Sequence, residues 1–225
     1  ATTEIYTLSL HDASSDLQTD QVVLCLTEAI RLFIDQGKFS SAAKQEKELG
    51  EILKKELRFD EAIQHYKKGA DYFDAENQTS GCNGCKLAMA ELLADQLQWE
   101  QAAEIFEQVA NQCADNKVLR FNVRDNVVRA TLCWLGNISN DRLGALEKAQ
   151  GKFDMYQGLD PGLHGTREFE LLEAVFQAVT DGDPERVGSA SAEFDGVCRL
   201  DEWKTRVLLH IKRTLTTTEE GLNFQ

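Results

Sequence analysis

Any catalytic chemistry in this 225-residue chain would have to come from four histidines, six cysteines and a surplus of carboxylates. His11, His65, His164 and His210 are scattered, and no two share the spacing of a helical zinc-protease motif. Cys82 and Cys85 form a Cys-x-x-Cys pair. A structural zinc site needs a second Cys/His pair at suitable spacing, and a redox motif needs a βαβ setting. Neither accompanies this pair. Cys25, Cys113, Cys133 and Cys198 fall at apolar or repeat positions and read as small buried hydrophobes. No glycine-rich phosphate loop follows a strand, and there is no nucleophile elbow. The carboxylates sit on polar helix faces, as a solvated acidic surface would. The sequence reads as a non-enzyme without metal or cofactor.

Binding is the chemistry that remains. A formal net charge of -14 repels phosphate backbones and excludes nucleic acid as the expected partner. Against that background a few cations stand out. Lys44 follows the apolar Ala43, and Lys117, Arg120 and Arg124 cluster, the last two at i, i+4. A positive strip would steer a negatively charged partner. Ordinary pairing with neighbouring Glu and Asp is the competing reading, and spacing alone leans towards it. Asn122 and Asn126 with Lys117 and Arg120 also offer a carboxylate clamp of the kind TPR co-chaperones use for acidic C-terminal peptides. True clamps, however, spread these groups over several helices. Near the end, Glu219, Glu220 and Leu222 read either as a frayed terminus or as a docking peptide for a basic partner.

The elements that must carry these residues are helices. One phrase is written twice, RFDEAIQHYKKGADYF at 58–73 and QWEQAAEIFEQVANQC at 98–113. Phe59 answers Trp99, Ala62 answers Ala102, Tyr66 answers Phe106, Ala70 answers Ala110 and Phe73 answers Cys113. Within each copy the spacing is i, i+3, i+4, i+7, one face of a helix. The forty-residue period marks an αα-hairpin array, in which small residues let helices approach and aromatics fill the gaps. Helices are predicted over 21–36 (closed by Gly37), 39–53, 59–73, 86–97, 98–113, 118–136, 142–156, 168–179, 184–194 (with Asp183 as N-cap and Pro184 as the first helical residue) and 200–215. Residues 75–83 and 158–165 read as loops, and 216–225 as a polar tail. Ala1 to Asp20 is ambiguous: Ile5, Leu8 and Ala13 look like the end of a helix whose partner lies upstream, so an N-terminal truncation is expected. The predicted fold is all-α, a TPR-like right-handed superhelix of antiparallel α-hairpins over 1–157. A C-terminal helical cap with an acidic tail follows over 158–225. No secretory signal and no apolar run long enough to span a bilayer are present, so a reduced cytoplasmic setting is the default.

Several stretches resemble the soluble NSF attachment proteins, the adaptors of the NSF ATPase. They are AIRLFIDQGKFSSAAK at 29–44, EAIQHYKKGADYF at 61–73, AAEIFEQV at 102–109 and RLDEWKTRVLLHIKRT at 199–214, followed by Glu219, Glu220 and Leu222. The alpha or beta type fits better than the gamma type, which lacks the RLDxW ending. The resemblance covers roughly 20–222. It implies an adaptor that lays a concave basic face along the SNARE four-helix bundle and recruits NSF through its C-terminal end, without cofactors, in the cytoplasm and peripherally on membranes. It implies that Lys44 and Arg124 match SNARE-contacting basic positions, with Lys117 and Arg120 beside the latter. A third such position falls at or near Gly84, which carries no charge. Lys86 is two residues on, a rotation of about 200° on a helix. Leu222 matches a leucine needed to stimulate NSF, and Glu219, Glu220, Asp201, Glu202 and Glu173 are the acidic candidates on that side. Asn223, Phe224 and Gln225 make a longer end than usual. The family's exposed hydrophobic membrane loop is not in this sequence, which implies poor membrane binding by the chain alone.

Overall fold

The computed structural model describes the backbone of residues 2–139 and 141–222, and the side chains of 19–139 and 141–217. The described residues form ten α-helices and one 3₁₀ turn, with no strand. In chain order these are α1 (Thr2–Asp35), α2 (Phe39–Lys55), α3 (Phe59–Ala75), α4 (Thr79–Asp95), α5 (Trp99–Asp115), the 3₁₀ turn Arg120–Asn122, α6 (Val123–Gly136), α7 (Arg142–Leu159), α8 (Arg167–Asp181), α9 (Pro184–Asp195) and α10 (Glu202–Leu222). The chain divides into two compact units, Ala1–Met89 and Ala90–Gln225. The expected all-α array of hairpins is present.

The twenty-residue beat has a local cause. Gly37, Leu57, Asn77 and Leu97 stand twenty residues apart and all have positive φ, at 68°, 59°, 56° and 62°. Each closes the preceding helix in the same way. The amides of Lys38, Arg58, Gln78 and Gln98 donate to the carbonyls of Phe33, Leu53, Phe73 and Leu93 at 2.8–2.9 Å. The amide before each donates to the carbonyl three residues earlier. This double bond pattern is the Schellman closure, which satisfies orphan carbonyls and reverses the chain within three residues.

In the first unit α2 and α3 pack through the expected small residues. Ala42, Ala43, Leu49 and Leu53 meet Ala62, Tyr66, Ala70 and Phe73, and all are buried. Gly50 is obligatory here, since a Cβ on it would lie 2.9 Å from the Tyr66 ring. In the second unit Ala102, Ala103, Phe106, Val109 and Ala110 of α5 are buried, as are Trp203, Val207, Ile211 and Leu215 of α10.

The structure corrects several sequence expectations. Residues 79–83 are helical: α4 begins at Thr79, and the Cys82 amide donates to the Gln78 carbonyl at 3.0 Å. The glycine that read as loop is there for packing, because a Cβ on Gly81 would sit 2.7 Å from the Phe73 ring. Helix is also absent from 118–119, where Asn116 diverts the chain into a turn. The predicted polar tail is helical as far as Leu222. Thr216 and Thr217 satisfy their hydroxyls on the Lys212 and Arg213 carbonyls at 3.1 and 2.7 Å. The α1 backbone runs unbroken through the ambiguous N-terminal stretch, and the side chains of Ile5, Leu8 and Ala13 lie outside the described residues. Cys25 is exposed and Cys198 half-buried, so neither is the core residue expected, whereas Cys113 and Cys133 are buried.

Candidate partner-binding surfaces

In the first unit, the alternation that buries Ala42 and Ala43 turns Lys44 outward, where it is exposed and makes no ion pair among the described residues. Lys86 is half-buried on α4 and is engaged with the thiol of Cys82, one turn earlier on the same helix. Burial pushes the Cys82 thiol up, and Lys86 offsets part of that. Cys85 is driven further, to about 11, chiefly by burial. Both sulfurs are therefore neutral packing groups. No cluster of three or more His, Cys, Asp or Glu placed to hold a metal occurs among the described residues.

Sequence reasoning missed Lys47. Its Nζ lies 3.6 Å from where a Cβ of Gly84 would stand. The uncharged position on α4 thus has an ammonium from α2 beside it. The signal was available in principle, since Lys44 and Lys47 are spaced i, i+3 on one helix face, but the approach of α2 to Gly84 was not.

In the second unit, Lys117 and Arg120 are exposed on the turn between α5 and α6, without ion pairs among the described residues. Arg124 is differently placed. Its Nε donates to Asp160 Oδ2 at 2.8 Å and its Nη2 to the Gly162 carbonyl at 3.1 Å, which latches α6 to the loop after α7. The Asp160 hydrogen bond raises its pKa further. Asn126 is 2 % exposed and donates to the Asn122 carbonyl at 2.9 Å. A carboxylate clamp on Asn122 and Asn126 would need that buried amide free, which disfavours the co-chaperone reading.

Of the acidic candidates, Glu173 is exposed on α8, at the rim of an open cleft floored by Phe153, Phe169 and Phe176. Glu202 is exposed and pairs with Arg206 at 2.9 Å. Asp201 is committed internally: it accepts the Lys204 amide at 2.7 Å and the Arg129 guanidinium at 2.8 Å. The backbone of Glu219, Glu220 and Leu222 lies in α10, and their side chains lie outside the described residues.

The most developed electrostatic feature of this unit centres on Arg129, which the sequence did not single out. It pairs with Asp125 at 2.8 Å, Glu91 at 3.0 Å and Asp201 at 2.8 Å. It also lies 5.0 Å from the Trp203 ring centre. Lys204 joins Asp125 and Asp201. Burial alone would raise the Asp125 carboxyl, but Arg129 and Lys204 outweigh it and hold it below its ordinary value.

A sequence model of the soluble NSF attachment protein family matches residues 8–216. The alpha-soluble NSF attachment protein of Dictyostelium discoideum is 35 % identical over 200 residues, 89 % of this chain and 67 % of that protein. The beta-soluble NSF attachment protein of Bos taurus is 35 % identical over 203 residues, 89 % of this chain and 65 % of that one. The vesicular-fusion protein SEC17 of Coprinopsis cinerea is 31 % identical over 204 residues, covering 90 % and 68 %. The chain spans about two thirds of the length of these relatives.

Proposed function

This chain belongs to the soluble NSF attachment protein family, and we propose that it is the adaptor the family name describes. It binds assembled SNARE complexes and recruits and stimulates the NSF ATPase, so that ATP hydrolysis by NSF takes the SNARE bundle apart during vesicle fusion. The names of its relatives denote attachment and vesicular fusion, and none denotes a catalytic activity of its own. The observation that carries the reading is the family match along nearly the whole chain. The exposed cations Lys44, Lys117 and Arg120, which make no ion pair among the described residues of a chain of net charge -14, support it.

On this reading those cations contact the acidic surface of a syntaxin-type four-helix bundle, with Lys47 supplying the charge beside Gly84 and Lys86 in a lesser part. Arg124 serves by holding the loop after α7. Glu173, Glu202, Glu219, Glu220 and Leu222 face the ATPase, while Asp201 acts by fixing the start of α10. The protein works in the cytoplasm and reaches membranes through the complex. No described helix is long and apolar enough to cross a bilayer.

The test is the NSF ATPase rate with this protein and an assembled SNARE bundle, with and without Leu222→Ala. Stimulation that disappears in the variant supports both the adaptor role and the tail's part in it. A chain that neither binds the bundle nor raises the rate would remove the proposal.

A further inference from the structure

The end of α10 brings together hydroxyls, carboxylates and weak helix. Residues 214–222 include Thr214, Thr216, Thr217, Thr218 and Gly221, and β-branched threonine and glycine are poor helix formers. Leu215 is 1 % exposed and closes the buried stripe of α10. Thr216 and Thr217, beyond it, are exposed, so the turn that carries them is held by little besides its own hydrogen bonds and opens at low cost. Their hydroxyls rest on the Lys212 and Arg213 carbonyls at 3.1 and 2.7 Å, a back-bond that slightly weakens a helix.

These hydroxyls also stand in a charge pattern. Four serines or threonines of the chain have a carboxylate three residues on: Ser9, Thr180, Thr216 and Thr217. The Ser9 side chain lies outside the described residues. Thr180 donates to the Phe176 carbonyl at 2.8 Å, and its carboxylate, Asp183, is occupied in capping the Glu185 and Arg186 amides of α9. Opening the chain there would also expose buried Ala178 and Val179. Thr216 and Thr217 have Glu219 and Glu220 at that distance, on a turn without such ties. Protein kinases select their substrates by charge pattern, and a weak terminal turn yields the open chain that their active sites take.

Resting on the adaptor reading above, we propose that Thr216 and Thr217 are phosphorylation sites for an acid-directed protein kinase, and that their phosphates unwind the end of α10 and weaken its engagement of the ATPase. In the transfer, threonine Oγ1 attacks the γ-phosphorus of ATP, the bond to ADP breaks, and the hydroxyl proton passes to the base of the kinase. The product no longer donates to the carbonyl one turn back. Each phosphate sets about two negative charges near a helix C-terminus, against the dipole and close in sequence to Glu219 and Glu220. One cation is at hand to compensate. Arg213 is exposed, one turn before Thr217, and makes no ion pair among the described residues, whereas Lys212 already holds Glu185 at 3.0 Å. Repulsion therefore outweighs pairing.

The experiment treats the 225-residue chain with casein kinase II and magnesium ATP and maps phosphate by fragmentation mass spectrometry. Bundle binding and the NSF ATPase rate are measured before and after. Phosphate is expected on Thr216 and Thr217, entering about tenfold more slowly when Glu219→Gln and Glu220→Gln are combined. The phosphorylated chain is expected to bind an assembled SNARE bundle like the parent and to lose amide protection over 216–222 in hydrogen exchange. About fivefold more of it is expected to be needed for half-maximal stimulation of NSF. Thr216→Val with Thr217→Val keeps the β-branched shape, and is expected to stimulate like the parent and to ignore the kinase. If the parent stimulates NSF but phosphate enters neither threonine, or enters Thr180 alone, the site is overturned and the adaptor role stands. A phosphorylated chain with unchanged protection and unchanged stimulation overturns the switch. A kinase response that survives in the double-valine variant overturns it too, by assigning the effect to another hydroxyl. A parent that neither binds the bundle nor raises the ATPase rate removes the adaptor role and the switch with it, whatever the labelling shows.

Discussion

Arg129 on α6 reaches Asp201, just ahead of α10, at 2.8 Å across 72 residues of sequence. The same guanidinium holds Glu91 near the end of α4 and Asp125 on its own helix. Its side chain is 14 % exposed, and each of its three carboxylates is more exposed. One largely buried cation therefore ties three helices of the second unit, and its Trp203 face joins that tie to the apolar core. Breaking such a pair is costlier than never making it, because the remaining charges stay partly desolvated.

Arg129→Met is accordingly expected to lower unfolding stability by about 3 kcal/mol, the lower end of the range for a broken buried pair because the carboxylates are half in water. Asp201→Asn keeps a cap for the Lys204 amide and should cost about 1 kcal/mol. Urea unfolding with unchanged m-values would check both. Two variants of equal, negligible effect would reduce the cluster to surface pairing.

Leu57 and Leu97 hold left-handed backbone at φ 59° and 62° while exposing 73 % and 60 % of their surface. Leucine carries a Cβ penalty there and repays little of it by burial. Leu57→Gly and Leu97→Gly should each stabilise the chain by about 0.5–1 kcal/mol, while Gly37→Ala, in the same conformation, should destabilise by about 1 kcal/mol. Thermal unfolding with all three changing in the opposite direction would place the strain elsewhere.

These turns also mark what the sequence made legible. The i, i+3, i+4 phrases containing Ala62, Tyr66 and Ala70, and Ala102, Phe106 and Ala110, announced hairpins because burial on one helix face is written locally. The left-handed backbone at Leu57 and Leu97 was not announced, since leucine is no signal for it and the packing of flanking helices imposes it. Gly81 read as loop because a helix that uses a missing Cβ for close approach looks like a turn from composition alone. Among the candidate cations, Lys44 could be placed from its neighbour Ala43. Arg124 and Arg129 could not be told apart from free surface charges, because their partners Asp160 and Asp201 lie 36 and 72 residues away.

The Gly81 approach can be tested against a glycine that does nothing. A Cβ at 81 meets the Phe73 ring at 2.7 Å, whereas a Cβ at Gly151 meets nothing within 4 Å. Gly81→Ala should cost about 1–3 kcal/mol by overpacking. Gly151→Ala, in the middle of α7, should gain about 0.5–1 kcal/mol through helix propensity. Denaturation midpoints moving in the same direction for both would mean that the α3–α4 contact is looser than the geometry requires.

His210 on α10 supplies the pH dependence. Its ring lies 4.8 Å from that of Trp99. Burial lowers its pKa and the charge of Arg213 adds to that, while a hydrogen bond with the Gly136 backbone opposes them without cancelling them. The folded chain thus holds this imidazole neutral more firmly than the unfolded chain does. Between the ordinary histidine value of about 6.5 and the lower folded value, the unfolded state binds more protons, so stability is full above about pH 6.5 and falls as the pH drops through that interval. The lowered Asp125 carboxyl acts in the same sense, but only below its ordinary value of 3.8. Urea midpoints for the parent should therefore decline as the pH drops below about 6.5. In His210→Phe, which keeps an aromatic beside Trp99 but cannot be protonated, that part of the profile should be flat. A slope that survives the substitution would assign the decline to another group.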